Sequence, residues 1–214
     1  FYEKYYVPNN AVVSIAGDID TETAKKLVEK YFSTIPQGKK VVQPQIVEPA
    51  QTREVRDTVY DNIQLPAIIH AYRIPAQGTP DYYAVDMLST LLSRGNSSRL
   101  NKIMVDEKEL CVQAGSFPIS SEDPGVSINY GIANVGVNPE VVEAAMNEII
   151  KDVQNNLITE KEFQKLQNQI ENDFVSSNST VVGIAESLAN YHVYLGDANL
   201  INEEIKRYQK VSRE

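Results

Sequence analysis

The residues best suited to chemistry in this chain are two histidines, and their spacing argues against a metal site. His70 lies in an apolar stretch that predicts a strand, and His192 lies in a stretch that predicts a helix. A catalytic zinc is held by three clustered protein ligands, drawn from His, Cys, Asp and Glu. Neither histidine has a second histidine or a cysteine close by. We therefore predict no metal ligand set and no cofactor within this chain.

Nucleophilic and acid–base chemistry have equally little support. The single cysteine, Cys111, begins a predicted strand, where it is best read as a small buried hydrophobe. No Gly-x-Ser-x-Gly elbow, which would present a serine nucleophile, occurs in the sequence. The paired acids Glu107 and Glu109, like Asp18 and Asp20, fit charged turns and helix caps. We predict no catalytic residue.

One loop, residues 93–100, could contact a substrate. It reads Ser-Arg-Gly-Asn-Ser-Ser-Arg-Leu and brings two guanidinium groups and several small polar groups ahead of a helix. Arg94, Asn96 and Arg99 could hold a peptide carboxylate or carbonyl there. In the alternative interpretation Gly95 turns the chain, Ser97 or Ser98 caps the helix, and the arginines bond local carbonyls. Such residues commonly serve turns and caps, and this alternative is the more ordinary one.

Composition narrows the possible partners. Over 214 residues the formal net charge is −9, which argues against nucleic acid because binding phosphates requires a basic face. No apolar run approaches the roughly 20 residues of a membrane-spanning helix. One cysteine excludes an internal disulfide and leaves the compartment open.

Hydrophobic periodicity predicts strands alternating irregularly with helices in the first two thirds, and helices alone from Pro139 onward. Predicted strands cover 11–16, 54–60, 66–74, 111–119 and 126–135. Predicted helices cover 21–32, 81–92, 97–108 and four stretches starting near 139, 160, 181 and 200. Residues 37–51 predict an extended connector.

The order of elements lacks a regular βαβ repeat, which favours an α+β domain with an antiparallel or mixed sheet and helices on one face. Both chain ends read as interrupted within helices. We therefore expect residues 1–214 to be one metal-free domain, excised from a longer polypeptide.

Several strings, in this order and spacing, are similar to those of the pitrilysin/insulinase family of zinc peptidases. They are spread over nearly the whole chain: Phe1–Ala11, Gly17-Asp18, Leu27–Phe32, Ile35-Pro36, Leu91–Leu100, Glu107–Leu110 and Leu195–Asp197. The chain departs from the family's enzymes in lacking the His-x-x-Glu-His zinc pattern. It therefore resembles a metal-free domain of that family.

This resemblance implies an α+β, metallopeptidase-like domain that alternates with a zinc-bearing sibling. The zinc is expected in that sibling domain, just upstream of Phe1. Expected partners are the sibling, a second peptidase half or subunit, and a peptide enclosed in the chamber between the halves. The arginine and tyrosine that hold substrate in some metal-free domains align with Val105 and Val112. That replacement implies a domain that follows the zinc domain within the same half.

Three functions are open. The first is the non-catalytic domain of a zinc-dependent metalloendopeptidase, forming part of the peptide chamber. The second is a scaffold or assembly subunit descended from such peptidases and without proteolytic activity. The third is a stand-alone peptide-binding module.

Overall fold

The computed structural model describes residues 1–44 and 47–214, and a three-stranded antiparallel sheet forms its centre. The strands are β1 (Ala67–Ile74), β2 (Cys111–Ile119) and β3 (Gly125–Ala133). Their order is β1-β3-β2, so β3 is central and pairs antiparallel with both neighbours. The antiparallel sheet of an α+β fold is confirmed.

Helices lie before, between and after the strands along the chain. They are α1 (Tyr2–Tyr5), α2 (Thr21–Phe32), α3 (Pro80–Ser93), a π-helix (Asn101–Glu107), α4 (Pro139–Asn155), α5 (Glu160–Ser177), α6 (Val181–Leu195) and α7 (Glu204–Gln209), with short 3-10 turns at Pro8–Asn10 and Ala198–Asn202. Asp20 caps α2, and Thr159 with Glu162 forms a capping box on α5. Among the described residues, none of these helices is both long and apolar enough to cross a membrane.

The main core lies between one face of the sheet and the end of α3, the π-helix and α4. Its fully buried members include Leu92, Leu100, Met104 and Met146. Gly131 of β3 permits this contact, because a Cβ there would lie 2.9 Å from Val142 Cγ1 and 3.3 Å from Met146 Sδ. The prediction that helices pack on one face is confirmed.

The opposite face of the sheet is apolar and open to solvent. Val126, Ile128, Tyr130 and Ile132 alternate along β3 with more deeply buried neighbours. On the edge strands Ile69 is 64% exposed and Phe117 45% exposed. The sheet therefore offers its helices a row of small and polar residues and keeps an apolar surface on the other side.

Two predicted strands are absent, which corrects the sequence-based prediction. Residues 11–16 and 54–60 belong to no helix or strand, and Val13 and Val59 are exposed. A β-prone segment becomes a strand only when its backbone bonds to another strand, and no such ladder is present here. Residues 211–214, expected to start a helix, are not helical. Gln45 and Ile46 of the predicted connector lie outside the described residues.

The helix predicted over 97–108 differs from an α-helix over most of its length. From Asn101 to Glu107 it is a π-helix, and beyond its end the N–H of Lys108 donates to the Ile103 carbonyl at 2.9 Å. Neither serine caps it: Ser98 Oγ is buried without a partner among the described residues, and Ser97 Oγ accepts from another helix. The predicted serine cap is wrong because the core takes the Ser98 side chain.

Candidate functional site

The loop of residues 93–100 lies beside α5 and is tied to it by charged side chains. Arg94, which follows the last residue of α3, donates from both terminal nitrogens to the Asp173 carboxylate. Lys165 Nζ donates to Ser97 Oγ at 2.6 Å. The two contacts lie two helical turns apart on α5, so they fix the loop along the helix.

The tip of the loop is Gly95-Asn96. Gly95 has φ of +76°, a left-handed conformation that glycine adopts without strain and other residues rarely do. The Asn96 carbonyl accepts a hydrogen bond from Asn101 Nδ2 at 3.1 Å, and the residue itself is exposed. This geometry fits the turn interpretation of Gly95 and leaves the Asn96 amide facing solvent.

Arg99 points away from the tip and joins two helices. Its Nε and Nη2 donate to the two oxygens of Glu162 on α5, at 3.1 and 3.2 Å. Its Nη1 donates to Asp152 Oδ2 on α4 at 2.7 Å. The side chain is only 17% exposed. Arg99 therefore binds carboxylates rather than the local carbonyls of the alternative interpretation. Most of its five N–H donors are engaged within the domain.

The lowered pKa of Glu162 shows how strongly its hydrogen-bond donors stabilise the ionised carboxylate. Burial alone would raise the pKa of its carboxyl, but hydrogen bonds from Arg99 and from the Thr159 backbone and hydroxyl outweigh burial and lower the pKa to about 2. Glu162 thus stays ionised at any physiological pH. The same carboxylate completes the capping box at the start of α5, so loop, cap and helix pair form one connected unit.

An open groove of about 950 Å³ runs along α5 beside this loop. One wall is Arg94, and the floor is the polar face of the helix. Cations and amides dominate its lining: Arg94, Lys161, Lys165, Gln164, Asn168, Gln169 and Asn172, with the acids Glu160 and Asp173. Three cations against two acids give it a local excess of positive charge, although the whole chain carries −9.

The groove's chemistry suits an extended peptide. Side-chain amides both donate and accept, so they match the alternating N–H and C=O groups of a peptide backbone. Gln164, Asn168 and Asn172 repeat every four residues, which places them in one row, and Gln164 Nε2 bonds Asn168 Oδ1 at 3.0 Å. Gln169 Oε1 is buried and has no partner in the described part of the chain.

The α5 residues of the groove were missed by the sequence analysis. The signal was present, because amides recur at i, i+4 and i+8 on the side opposite the predicted apolar stripe of Phe163, Leu166 and Ile170. A polar helix face is ordinarily a solvated one, however. Only the contacts that Arg94 and Lys165 make between the loop and α5 show that this face forms the floor of a groove.

The two histidines lie in separate elements and in different surroundings. His70 on β1 has Nε2 3.8 Å from Glu143 Oε1, but Arg56 Nη2 already donates to the other oxygen of Glu143 at 2.7 Å. His192 lies exposed in the last turn of α6. Among residues 1–44 and 47–214, no group of three or more His, Cys, Asp or Glu is placed to hold a metal ion. The donors at hand do not fit a zinc site.

The two valines of the family comparison also lie apart. Val105 is in the π-helix and packs against the main core. Val112 occupies an irregular step of β2, between Cys111 and Gln113, and is 48% exposed. Their equivalence to a substrate-holding pair stays a prediction.

A second polar cluster, unforeseen from the sequence, lies between α3 and α7. Tyr83 donates to Glu204 Oε2 at 3.1 Å, and Tyr208 donates to Asp86 Oδ2 at 2.8 Å. Burial raises the pKa of both carboxyls, more than their tyrosine partners lower it. Tyr83 is 2% exposed, so this cluster is closed to a substrate and joins helices instead.

Comparison with known proteins agrees with this architecture. Residues 1–170 match the family model described as the peptidase M16 inactive domain, so the fold and the sequence together define a peptidase-like domain. The chain belongs to the peptidase M16 family, as the resemblance to pitrilysin and insulinase peptidases predicted.

Individual relatives support the same assignment. The chain is 30% identical over 196 residues to the zinc protease PqqE of Helicobacter pylori, covering 90% of this chain and 44% of that protein. It superposes on the crystal structure of a protease from Helicobacter pylori with a TM-score of 0.85 at 25% identity, covering 92% of this chain and 48% of that one. The peptidase M16 inactive domain from Pseudomonas fluorescens gives 0.69 at 16% identity, covering 92% and 46%, and shows the shared fold.

The chain spans about half the length of the curated relatives it matches. Those relatives are named zinc proteases. This chain is an M16 inactive domain of the kind found in zinc protease-like proteins.

Proposed function

We propose that this domain forms part of the peptide-enclosing wall of a zinc-dependent metalloendopeptidase. The zinc and its ligands would be held by a sibling domain of the same polypeptide, and a second half or subunit would close the chamber. The observation that carries this proposal is the match of residues 1–170 to the M16 inactive domain, in a chain that corresponds to half of each zinc protease relative.

Within this role, the groove along α5 is the surface that would contact the peptide. Arg94 and Asn96 present a half-exposed guanidinium and an exposed amide at its rim, and Arg99 positions the loop through α4 and α5. The amide row supplies backbone recognition without sequence preference. Lys161 and Lys165 add attraction for a carboxylate, either acidic side chains or a peptide C-terminus.

The first experiment separates the peptidase from the scaffold alternative. The parent polypeptide would be assayed for zinc content and for cleavage of a mixed fluorogenic peptide set, with and without a chelator. We expect about one zinc per chain and chelator-sensitive cleavage, and neither from the 214-residue domain alone. A parent without zinc and without cleavage would make the protein a scaffold. Chelator-sensitive cleavage by the isolated domain would refute the assignment of a non-catalytic role.

The second experiment tests the groove in the active parent. We expect Lys161→Gln to raise KM for acidic peptides severalfold with kcat nearly unchanged, because an exposed charge at a rim contributes binding rather than chemistry. Lys151→Gln, an exposed lysine on α4, removes the same charge elsewhere and serves as the control. Equal KM values for the two variants would exclude the groove as a peptide contact.

A further inference from the structure

A second cavity, apart from the groove along α5, opens between α3, the connection from α4 to α5, and residues 211–214. Its volume is about 340 Å³, at the lower end of the roughly 300–1,000 Å³ of small-ligand pockets. Neither the loop of residues 93–100 nor the polar cluster between α3 and α7 lines it. The cavity therefore has a lining of its own.

The lining of this cavity changes from apolar in its depth to polar at its rim. The buried lining residues are Met87, Leu91 and Leu166, and the half-buried ones, such as Phe163 and Val211, are apolar as well. The polar lining residues are all exposed. Apolar walls with a few polar groups are the usual composition of a pocket that buries most of its ligand.

The mouth of the cavity exposes apolar side chains that the domain itself leaves partly uncovered. Leu88 on α3 is 38% exposed, and Leu157 in the connection from α4 to α5 is 56% exposed. At the rim, Asn156 Nδ2 donates to Asp152 Oδ1 of α4 at 2.8 Å, so this amide is engaged with the helix. The cavity therefore favours an apolar ligand.

Residues 211–214 form one wall of the cavity and are fastened at two points. Val211 packs against the buried cluster of α3 and α5 residues, and its N–H donates to the Tyr208 carbonyl at 3.1 Å. Arg213 Nη1 lies 3.3 Å from Glu160 Oε2. The Glu160 side chain is 78% exposed, and exposed ion pairs contribute little stability. This part of the wall therefore moves aside for a ligand at little cost.

The cavity and the groove meet at the first turn of α5. Glu160 lines the groove and pairs with Arg213, which lines the cavity. Farther along the helix, Gln164 lines the groove while Phe163 and Leu166 line the cavity. The two openings thus share the N-terminal half of α5. A peptide lying in the groove is therefore within one side chain's reach of the cavity.

We infer that this cavity is a specificity pocket, which takes one large apolar side chain of a peptide lying in the groove along α5. This role rests on the proposed function, because it requires that the groove contacts the peptide. The amide row binds any backbone, and the cavity adds a preference for leucine, methionine or phenylalanine at one position. A peptide fits better than a free apolar molecule, because the adjoining groove supplies polar partners that only a peptide backbone uses.

Binding of matched peptides to the 214-residue chain tests this pocket. The probes are short acetylated peptides of alternating glycine and alanine that carry either leucine or alanine at one central position. Titration followed by methyl NMR measures the dissociation constants and shows which side chains are affected. We expect the leucine peptide to bind about tenfold more tightly than the alanine peptide, because leucine buries more apolar surface. The methyl signals of Met87 and Leu91 should shift with the leucine peptide alone.

Two substitutions of exposed residues at the mouth separate the pocket from its surroundings. Leu88→Gln removes part of an apolar wall, and Ala84→Phe narrows the opening with a larger side chain. We expect each to reduce the preference for leucine to under about twofold, because the side chain loses its apolar cover. The affinity for the alanine peptide should stay unchanged. Leu27→Gln changes a leucine of similar exposure on α2, at 41%, and should keep the full preference.

Equal affinities for the leucine and alanine peptides, or no binding of either, would overturn the inference. So would a leucine preference that Leu88→Gln and Ala84→Phe both leave intact. Binding of N-acetyl-leucine amide as tight as that of the leucine peptide would instead make the cavity a small-molecule site.

The peptidase role stands or fails separately from the pocket. A parent polypeptide without zinc or cleavage, whose domain still prefers the leucine peptide, would be a peptide-binding protein that keeps this pocket. A parent that cleaves peptides while its domain shows no such preference would keep the peptidase role and lose the pocket.

Discussion

Helix α2, in residues 1–60, and the helices of residues 67–214 all carry an apolar stripe, yet only those of the second region bury it. In the second region α3, the π-helix and α4 bury their apolar stripes against the sheet, and Leu100 and Met146 are fully buried. In the first region α2 has the predicted stripe, but Leu27 is 41% exposed and Phe32 47% exposed. No residue of α2 is buried.

An apolar stripe specifies a surface to be covered and leaves open what covers it. In the second region each stripe finds its partners within the region itself: α3, β2, β3 and α4 follow one another with short connections, and Leu166 and Ile170 of α5 pack with Met87 and Leu91 of α3. In the first, α2 and residues 11–16 precede β1 by a long connector, and residues 48–56 are held by the charged side chains of Arg56 and Arg73. Burial gives most of the stability in one region and little in the other.

Truncating a leucine should affect stability very differently in the two regions. Leu100→Ala should lower the free energy of unfolding by about 2–5 kcal/mol, because it leaves a cavity in the packed core. Leu27→Ala, the same change in α2, should cost under about 1 kcal/mol, since its side chain is already partly in water. Urea denaturation followed by circular dichroism measures both. Similar losses would show that α2 packs in a core of its own.

The next effect separates a charge contact that joins helices from one on the surface. Arg99→Lys keeps the charge but cannot donate bidentately to Glu162 while also reaching Asp152. We expect a loss of about 2–3 kcal/mol, as charge-assisted hydrogen bonds to half-buried carboxylates are broken. Lys108→Gln, which breaks an exposed pair with Glu148, should cost under about 1 kcal/mol. Matching losses would contradict a structural role for Arg99.

The stability contributed by the contact between Arg99 and Glu162 also depends on pH. The pKa of Glu162 is about 2 in the folded chain against an ordinary value of 4.5. The folded state therefore binds fewer protons, and the contact's stabilisation is complete above pH 4.5 and is lost as pH falls through about 2. Glu162→Gln should flatten the stability curve in that window. An unchanged curve in the variant would assign acid sensitivity to other carboxylates.

The stability contributed by the polar cluster between α3 and α7 changes with pH in the opposite direction. Burial raises the pKa of Asp86 above its ordinary value of 3.8, so the folded state binds more protons and stability falls as pH rises from there through the folded pKa. We expect Asp86→Asn, whose carbonyl can still accept from Tyr208, to be up to about 1 kcal/mol more stable than the parent at pH 7. At pH 3 the two should match. Destabilisation at both pH values would mean that the charge itself is needed.

The sequence predicts elements that depend on local patterns and fails for elements that depend on a distant partner. The bounds of α3 and the starts of α4, α5 and α6 follow from helical periodicity and local caps, and the structure places each within a residue or two of the prediction. The strands over 11–16 and 54–60 could not be decided from sequence, because pairing depends on a partner elsewhere in the chain. The π-helix has no local signal of the same kind.

In the candidate site, too, the local turn could be predicted from the sequence and the long-range ion pairs could not. Gly95 was predicted to turn the chain and has the required positive φ. The loop's arginines were predicted as substrate-facing or bound to local carbonyls, and the structure shows both paired with carboxylates on other helices. Those carboxylates are 53 to 79 residues away in sequence, beyond any local pattern. The amide row of α5 became a groove only through these long-range pairs.

The smallest expected effect compares two helix caps of similar chemistry. Thr159 caps α5, whose Leu166 and Ile170 are buried, so Thr159→Ala should lower the free energy of unfolding of the domain by about 1 kcal/mol. Asp20 caps α2 through a 2.8 Å bond from the Thr23 N–H. Asp20→Ala should speed amide exchange within residues 21–32 and leave the urea midpoint unchanged, because α2 contributes no buried residue to the cooperative core. If Asp20→Ala shifts the midpoint as much as Thr159→Ala does, then α2 unfolds together with the core, and the contrast between the two regions does not hold in solution.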